Sequence, residues 1–161
     1  MTAAGSNEAE FKEIIESKFG EILNGKRIWR DNESQVEISV DQTIETDDYN
    51  LLIEIDSGNY AKLIVGQYTL LNELHDCPDK KPVFIVVHFY NRYTDTPYNP
   101  ERTIRNLNFI NQKVLSENGI PFLVFNLNTF NDFLTQINSL KELNEKIKEN
   151  IAQQSTVVKN K

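Results

Sequence analysis

The hydrophobic pattern switches between two periods along the chain. From Glu10 to Leu23, Phe11, Ile14, Ile15, Phe19, Ile22 and Leu23 recur three and four positions apart. That spacing predicts one face of a helix, which Gly25 ends. The period then drops to two. Ile28-Trp29-Arg30 and Val36 to Asp41 flank the turn-forming Asp31-Asn32-Glu33-Ser34, which predicts a hairpin. Val36, Ile38 and Val40 share one strand face, and Glu37, Ser39 and Asp41 share the other. A second turn around Glu45 to Asp48 leads into a strand from Asn50 to Asp56. There Leu51, Ile53 and Ile55 face one way, and Leu52, Glu54 and Asp56 the other.

Ser57-Gly58-Asn59 ends that strand and can cap a helix from Tyr60 to His75, with a stripe of Tyr60, Leu63, Ile64, Gln67, Leu71 and Leu74. Val83 to Tyr90 is nearly all apolar, the signature of a strand buried on both faces. A helix follows over 101–118, with Gly119 at its C-terminal cap, and then a buried strand over 122–127. A last long helix starts at Asn131, carrying Phe133, Leu134, Ile137, Leu140, Leu143, Ile147 and Ile151. The order is helix, three strands, helix, strand, helix, strand, helix. An antiparallel meander followed by strands reached through helical crossovers predicts an α/β fold, a mixed β-sheet flanked by helices. One domain over 9–152 is expected, with flexible tails at 1–8 and 153–161.

Composition fits this picture. The 161 residues are 39% hydrophobic with nine Phe and six Tyr, enough for one core. Cys77 is alone, which excludes an internal disulfide framework and any multi-cysteine zinc site. No apolar run approaches the roughly 20 residues that span a bilayer. The polar, acidic start lacks the features of a signal peptide, so a reducing, cytoplasmic setting is expected. The net charge of −7 argues against strong non-specific binding to nucleic acid. That charge is unevenly spread. Residues 76–130 hold six Lys+Arg against five Asp+Glu, a balance of +1 that leaves −8 for the remainder.

Part of that remainder is a specific constellation. Glu54 interrupts the apolar run Leu51-Leu52-Ile53-Glu54-Ile55-Asp56, and burying an unpaired carboxylate is costly. Asp56 lies on the same strand face, about 7 Å along. If the Asp41 and Glu54 strands pair around a turn centred near residue 47, those two carboxylates fall opposite one another, within about 5 Å. Like charges so placed destabilise a sheet unless a positive group lies between them. A divalent cation suits the position, and Mg²⁺ in particular binds few carboxylates plus water and phosphate oxygens. The plain alternative is two solvated strand carboxylates on an exposed face.

A helix bearing Glu16, a strand with Asp41, and Glu54-Ile55-Asp56 on the next strand, followed by a helix and further strands, resembles the PD-(D/E)XK nuclease superfamily. The likeness spans about residues 10–127. The gaps of 25 residues from Glu16 to Asp41 and 13 from Asp41 to Glu54 resemble those of small resolvase-like members. The resemblance implies a restriction endonuclease-like αβββαβ core and a nuclease hydrolysing DNA phosphodiester bonds. It implies Mg²⁺ or Mn²⁺ on Asp41 and Glu54, with Glu16 in support and Asp56 assisting.

Two departures stand out. Val40, not Pro, precedes Asp41, and Asp56 occupies the place of the family's Lys. Lys62, in the first turn of the following helix, is the substitute the resemblance suggests. Its helical angle groups it instead with Thr69 and Glu73, opposite the apolar stripe. The missing Lys and the acidic charge keep a second reading open: a nuclease-fold binding or assembly module without catalysis.

Gln67 and Tyr68 correspond to residues that related nucleases place near the active site, and a buried Gln needs partners. Between Tyr90 and Arg105, the arginines Arg92, Arg102 and Arg105 are interleaved with Tyr90, Tyr93 and Tyr98. That mixture can hold phosphates and stack on bases, although a Tyr-rich surface loop needs no ligand. His88, inside an apolar strand, reads as a satisfied core or rim residue, and neither it nor His75 has a metal-ligand spacing. Isolated glycines exclude a phosphate loop. The stripe of the last helix is long enough to serve a second copy or another partner.

Overall fold

The computed structural model describes residues 5–58, 60–90 and 96–159. Its elements run α1 Ser6–Phe19, β1 Arg27–Asp31, β2 Val36–Val40, β3 Gln42–Glu45, β4 Tyr49–Asp56, α2 Ala61–Leu74, β5 Lys81–His88, α3 Glu101–Lys113, β6 Phe122–Asn126, α4 Leu127–Thr135 and α5 Leu140–Lys159. Four strands form one mixed sheet in the order β3-β4-β5-β6, with β3 antiparallel to β4 and the other pairs parallel. β1 and β2 form a separate antiparallel hairpin. The fold is thus the expected α/β class.

The alternation in β4 sorts the protein into layers. Leu51, Ile53 and Ile55 join Phe11 and Ile15 of α1, Phe130 and Phe133 of α4, and Leu143 and Ile147 of α5 in one core. Leu52 points the other way and joins Ile64, Tyr68 and Leu71 of α2, Leu107 of α3, and Trp29 and Val40 of the hairpin. Glu54 and Asp56 share the Leu52 face. β5 is buried from Val83 to His88, as the continuous apolar run predicts for a central strand.

Five elements differ from the sequence reading. The helix expected over 101–118 ends at Lys113 with Val114 as its cap, so Gly119 does not cap it. The first helix spans Ser6–Phe19 rather than 10–23, and Ile22 and Leu23 pack on the core from a loop. The strand expected from Val36 to Asp41 ends at Val40, and a bend at Asp41 leads into a further strand, β3, which takes its place as the partner of β4, so Val40 and Thr43, three apart, are both buried and the expected three-strand meander is divided between two sheets. The last helix is two helices, parted at 136–139. Its stripe, through Ile151, packs on the sheet core. On α2 the buried face is Ala61, Ile64, Tyr68 and Leu71, whereas Tyr60 and Leu63 are 58% and 66% exposed. Residues 6–8 and 153–159, expected as tails, are helical, and 1–4 and 160–161 lie outside the described residues. No helix among the described residues is long and apolar enough to cross a membrane.

The β3–β4 turn is held from α5. The buried Asn144 accepts from the Thr46 hydroxyl (2.7 Å) and the Asp48 N–H (2.9 Å), and donates to the Asp48 carboxylate (2.9 Å). This turn sets the register that pairs Gln42 with Ile53. Asn144→Ala strips three bonds and leaves buried partners unmet, so about 3 kcal/mol of stability should be lost. Urea unfolding measures it, and a loss below about 1 kcal/mol would show that the turn holds itself.

Candidate active site

The site is built where β3 runs out beside β4. The last backbone pair of that ladder is Gln42 with Ile53. One step further, the bend at Asp41 takes the backbone away, and the next inward-facing N–H on β4, that of Ile55, needs another acceptor. The Asp41 carboxylate supplies it, with Oδ2 at 2.9 Å from the Ile55 nitrogen. Extending the same register puts Asp41 opposite Glu54, the juxtaposition expected from the turn.

Glu54 is held from two sides. The Gln67 amide of α2 donates to Glu54 Oε2 at 2.6 Å and to the Ser39 carbonyl of β2 at 2.8 Å. The Asp41 backbone amide also favours the ionised Glu54 carboxylate. Burial and then the adjacent Asp41 charge oppose ionisation more than these donors favour it, and the Glu54 pKa is pushed up to about 7. Burial raises Asp41 as well, against the lowering effect of the Ile55 N–H. Two partly buried carboxylates therefore face one another, one of them near its midpoint at neutral pH.

Among the described residues no group of three or more His, Cys, Asp or Glu is placed to hold a metal ion. Two carboxylates are the donor set that suits Mg²⁺ or Mn²⁺ completed by water and phosphate oxygens, and do not amount to an all-protein cage. Asp41 and Glu54 fit the group that the resemblance implies on that basis.

The other residues singled out in the sequence lie as follows. Asp56 is engaged elsewhere. Its Oδ2 is 2.6 Å from Nδ1 of His88, its partner across the parallel β4–β5 pair, and its Oδ1 accepts from the Gly58 N–H at 3.3 Å. His88 Nε2 lies 3.0 Å from the Thr103 hydroxyl, and Tyr98 packs over the imidazole at 4.5 Å between ring centroids. All three members of this relay are buried. His88 is thus a satisfied core histidine, and Asp56 acts on the site through its charge, which adds to the rise at Glu54.

Among the described residues Glu16 forms no three-acid metal group with Asp41 and Glu54. It forms an i,i+4 ion pair with Lys12. The acid of α1 whose charge acts on Asp41 is Glu8, two turns or about 12 Å nearer the helix start. Lys62 is likewise elsewhere, lining a groove between α2 and α3 with Val65, Asn106, Phe109 and Ile110. Five positions separate it from Gln67, about 140° around the helix, so both cannot face β4.

Gln67 orients Glu54 rather than standing free for substrate. Tyr68 is fully buried, its hydroxyl donating to the Ile120 carbonyl at 2.7 Å, so the structure makes it a core residue and not a substrate contact. Arg102 and Arg105 are exposed on α3, either side of Thr103, and Arg105 lies 3.9 Å from Glu101. Arg92 lies outside the described residues.

The sequence reading did not find the Asp56–His88–Thr103 relay. Its one visible trace is that Asp56 and His88 each end an apolar strand. No family model, curated protein or solved structure matches this chain.

Proposed function

We propose that the protein is a divalent-metal-dependent phosphodiesterase acting on nucleic acid, DNA in the first instance, with Asp41 and Glu54 as its metal ligands. The carrying observation is the facing of these two carboxylates at the end of the β3–β4 ladder, with Glu54 fixed by Gln67 and pushed up to about 7. A bound Mg²⁺ or Mn²⁺ would lower the pKa of water and offset charge on the phosphate under attack. This chain's own residues do the rest. Asp41 is locked by the Ile55 N–H, which leaves Oδ1 to bind. Gln67 sets the Glu54 carboxyl plane. Arg102 and Arg105 stand exposed, as phosphate contacts would need to be.

A panel of single-stranded, double-stranded and branched DNA and of RNA, incubated with Mg²⁺, Mn²⁺ or EDTA, tests this. Cleavage that needs the metal is the expected outcome, and no cleavage of any form removes the proposal. The second reading, a non-catalytic nuclease-fold module, is favoured by one observation: Asp56 sits with His88 where the resembled family has a Lys. It predicts binding without cutting.

A further inference from the structure

The carboxylate pair has a cation across from it, and strand register locates that cation. In the β1–β2 hairpin Arg27 pairs with Val40. Beyond the hairpin the same alignment reappears on β3. The Asn24 N–H donates to the Thr43 carbonyl at 2.9 Å, and the Gly25 N–H donates to the Gln42 side chain at 3.1 Å. The Thr43 hydroxyl returns a bond to the Gly25 carbonyl at 3.4 Å. Two backbone alignments bracket the segment, 24 with 43 and 27 with 40, and between them Gly25 bonds the side chains of Gln42 and Thr43. Lys26 and Asp41 are the residues that lie between the two brackets. Gly25, at φ 81°, takes the left-handed conformation that lets the chain pass from loop into hairpin at this point.

Asp41 therefore stands in the middle of three strands' worth of chain, with Glu54 on one side and Lys26 on the other. An exposed Lys stem can swing its ammonium over such a neighbour. The charge of Lys26 does act on Asp41, offsetting part of the rise that burial causes.

We infer that Lys26 is the positive charge of this site, presented to the phosphate group bound over Asp41 and Glu54. It fills the role that neither Asp56 nor Lys62 can reach. The inference rests on the phosphodiesterase reading for its consequence in catalysis, but the Lys26–Asp41 placement does not. A cation beside the carboxylates competes with a bound metal and favours a phosphate whose negative charge grows during reaction. Removing it must move the two properties in opposite directions.

The test compares wild type, Lys26→Met and Lys26→Arg, all checked as folded by circular dichroism. Mn²⁺ affinity is measured by calorimetry without substrate, and DNA cleavage is measured at saturating Mg²⁺. The expected result for Lys26→Met is Mn²⁺ binding tightened about 3–10-fold and kcat lowered on the order of 10²-fold. Lys26→Arg should stay near wild type in both. Cleavage by Lys26→Met at the wild-type rate overturns the inference. So does a joint loss of Mn²⁺ binding and cleavage, the signature of a structural role. Should wild type bind Mn²⁺ but cut nothing, the phosphodiesterase reading falls alone. The affinity arm then decides Lys26, and unchanged affinity in Lys26→Met overturns it. A wild type that binds no Mn²⁺ overturns both.

Discussion

Glu54→Gln should leave a more stable protein with almost no metal-dependent cleavage. The substitution keeps one carbonyl oxygen to accept from Gln67, turns the other carboxylate oxygen into an amide NH2 and removes the charge. Loss of one of two metal ligands removes several kcal/mol of transition-state stabilisation. At 1.36 kcal/mol per tenfold, the expected fall in kcat/KM is on the order of 10³. Stability moves the other way because the Glu54 pKa in the fold, about 7, lies above its ordinary 4.5. The ionised form is therefore disfavoured by folding. Stability linked to this group is fully present below about pH 4.5 and is lost as pH rises through 7.

At pH 8 without metal, Glu54→Gln should recover on the order of 2 kcal/mol. That is a rise of about 5 °C in Tm for a domain of this size. At pH 4.5 the two proteins should melt together. The same linkage makes metal binding pH-dependent. Glu54 must give up its proton to bind, so affinity should fall by about tenfold per pH unit below 7. Calorimetric melts at both pH values, alongside the cleavage assay, check the set. A variant that cuts as well as wild type, or melts lower at pH 8, contradicts it.

The largest stability loss is expected at His88. Its imidazole lies between the buried Asp56 carboxylate and the Thr103 hydroxyl, tying the ends of β4 and β5 to the first turn of α3. His88→Ala empties a fully buried ring site and strips a hydrogen-bond partner from both Asp56 and Thr103, which costs about 3–5 kcal/mol. Tm should drop by roughly 10–15 °C. It also removes the ring against which Tyr98 packs. Asp56→Ala alone should cost less, because His88 keeps its contact with Thr103. The double variant should lose less than the two single losses added, since both act on one network. Additive losses would mean that the Asp56–His88 contact carries no coupling.

These two sites differ in how far they could be read from sequence. The Asp41–Glu54 pairing was legible because it depends on a local turn. Residues 45–48 have turn composition, and the alternation of Leu51 to Asp56 fixes which side chains share a face. Asp56 and His88 meet through parallel pairing across a helical crossover, 32 residues apart. No local pattern sets that register. Lys26 was hidden for a third reason. It sits in a segment without a strand pattern, and only the hydrogen bonds of Asn24 and Gly25 reveal that the hairpin's alignment continues past Arg27.

The element errors have similar causes. On α2 the expected stripe of Tyr60, Leu63, Ile64, Gln67, Leu71 and Leu74 is met at Ile64 and Leu71, while the buried face turns toward Ala61 and Tyr68 and leaves Tyr60 and Leu63 exposed. The turn is fixed by polar partners, since Tyr68 finds the Ile120 carbonyl and Gln67 finds Glu54 and Ser39. The strand read through Asp41 breaks there because the carboxylate takes the Ile55 N–H in place of a backbone carbonyl. That bend separates the hairpin from the sheet and creates the space in which Glu54 and Asp41 face each other.

The central claim, that Asp41 and Glu54 together hold a divalent cation, is tested most directly by an anomalous difference map from crystals soaked in Mn²⁺ at pH 8. At that pH Glu54 is ionised. The account predicts one strong peak between the two carboxylates, bonded to an oxygen of each, and its loss in Glu54→Gln crystals soaked alike. No peak there, or Mn²⁺ bound only at other carboxylates, would contradict it.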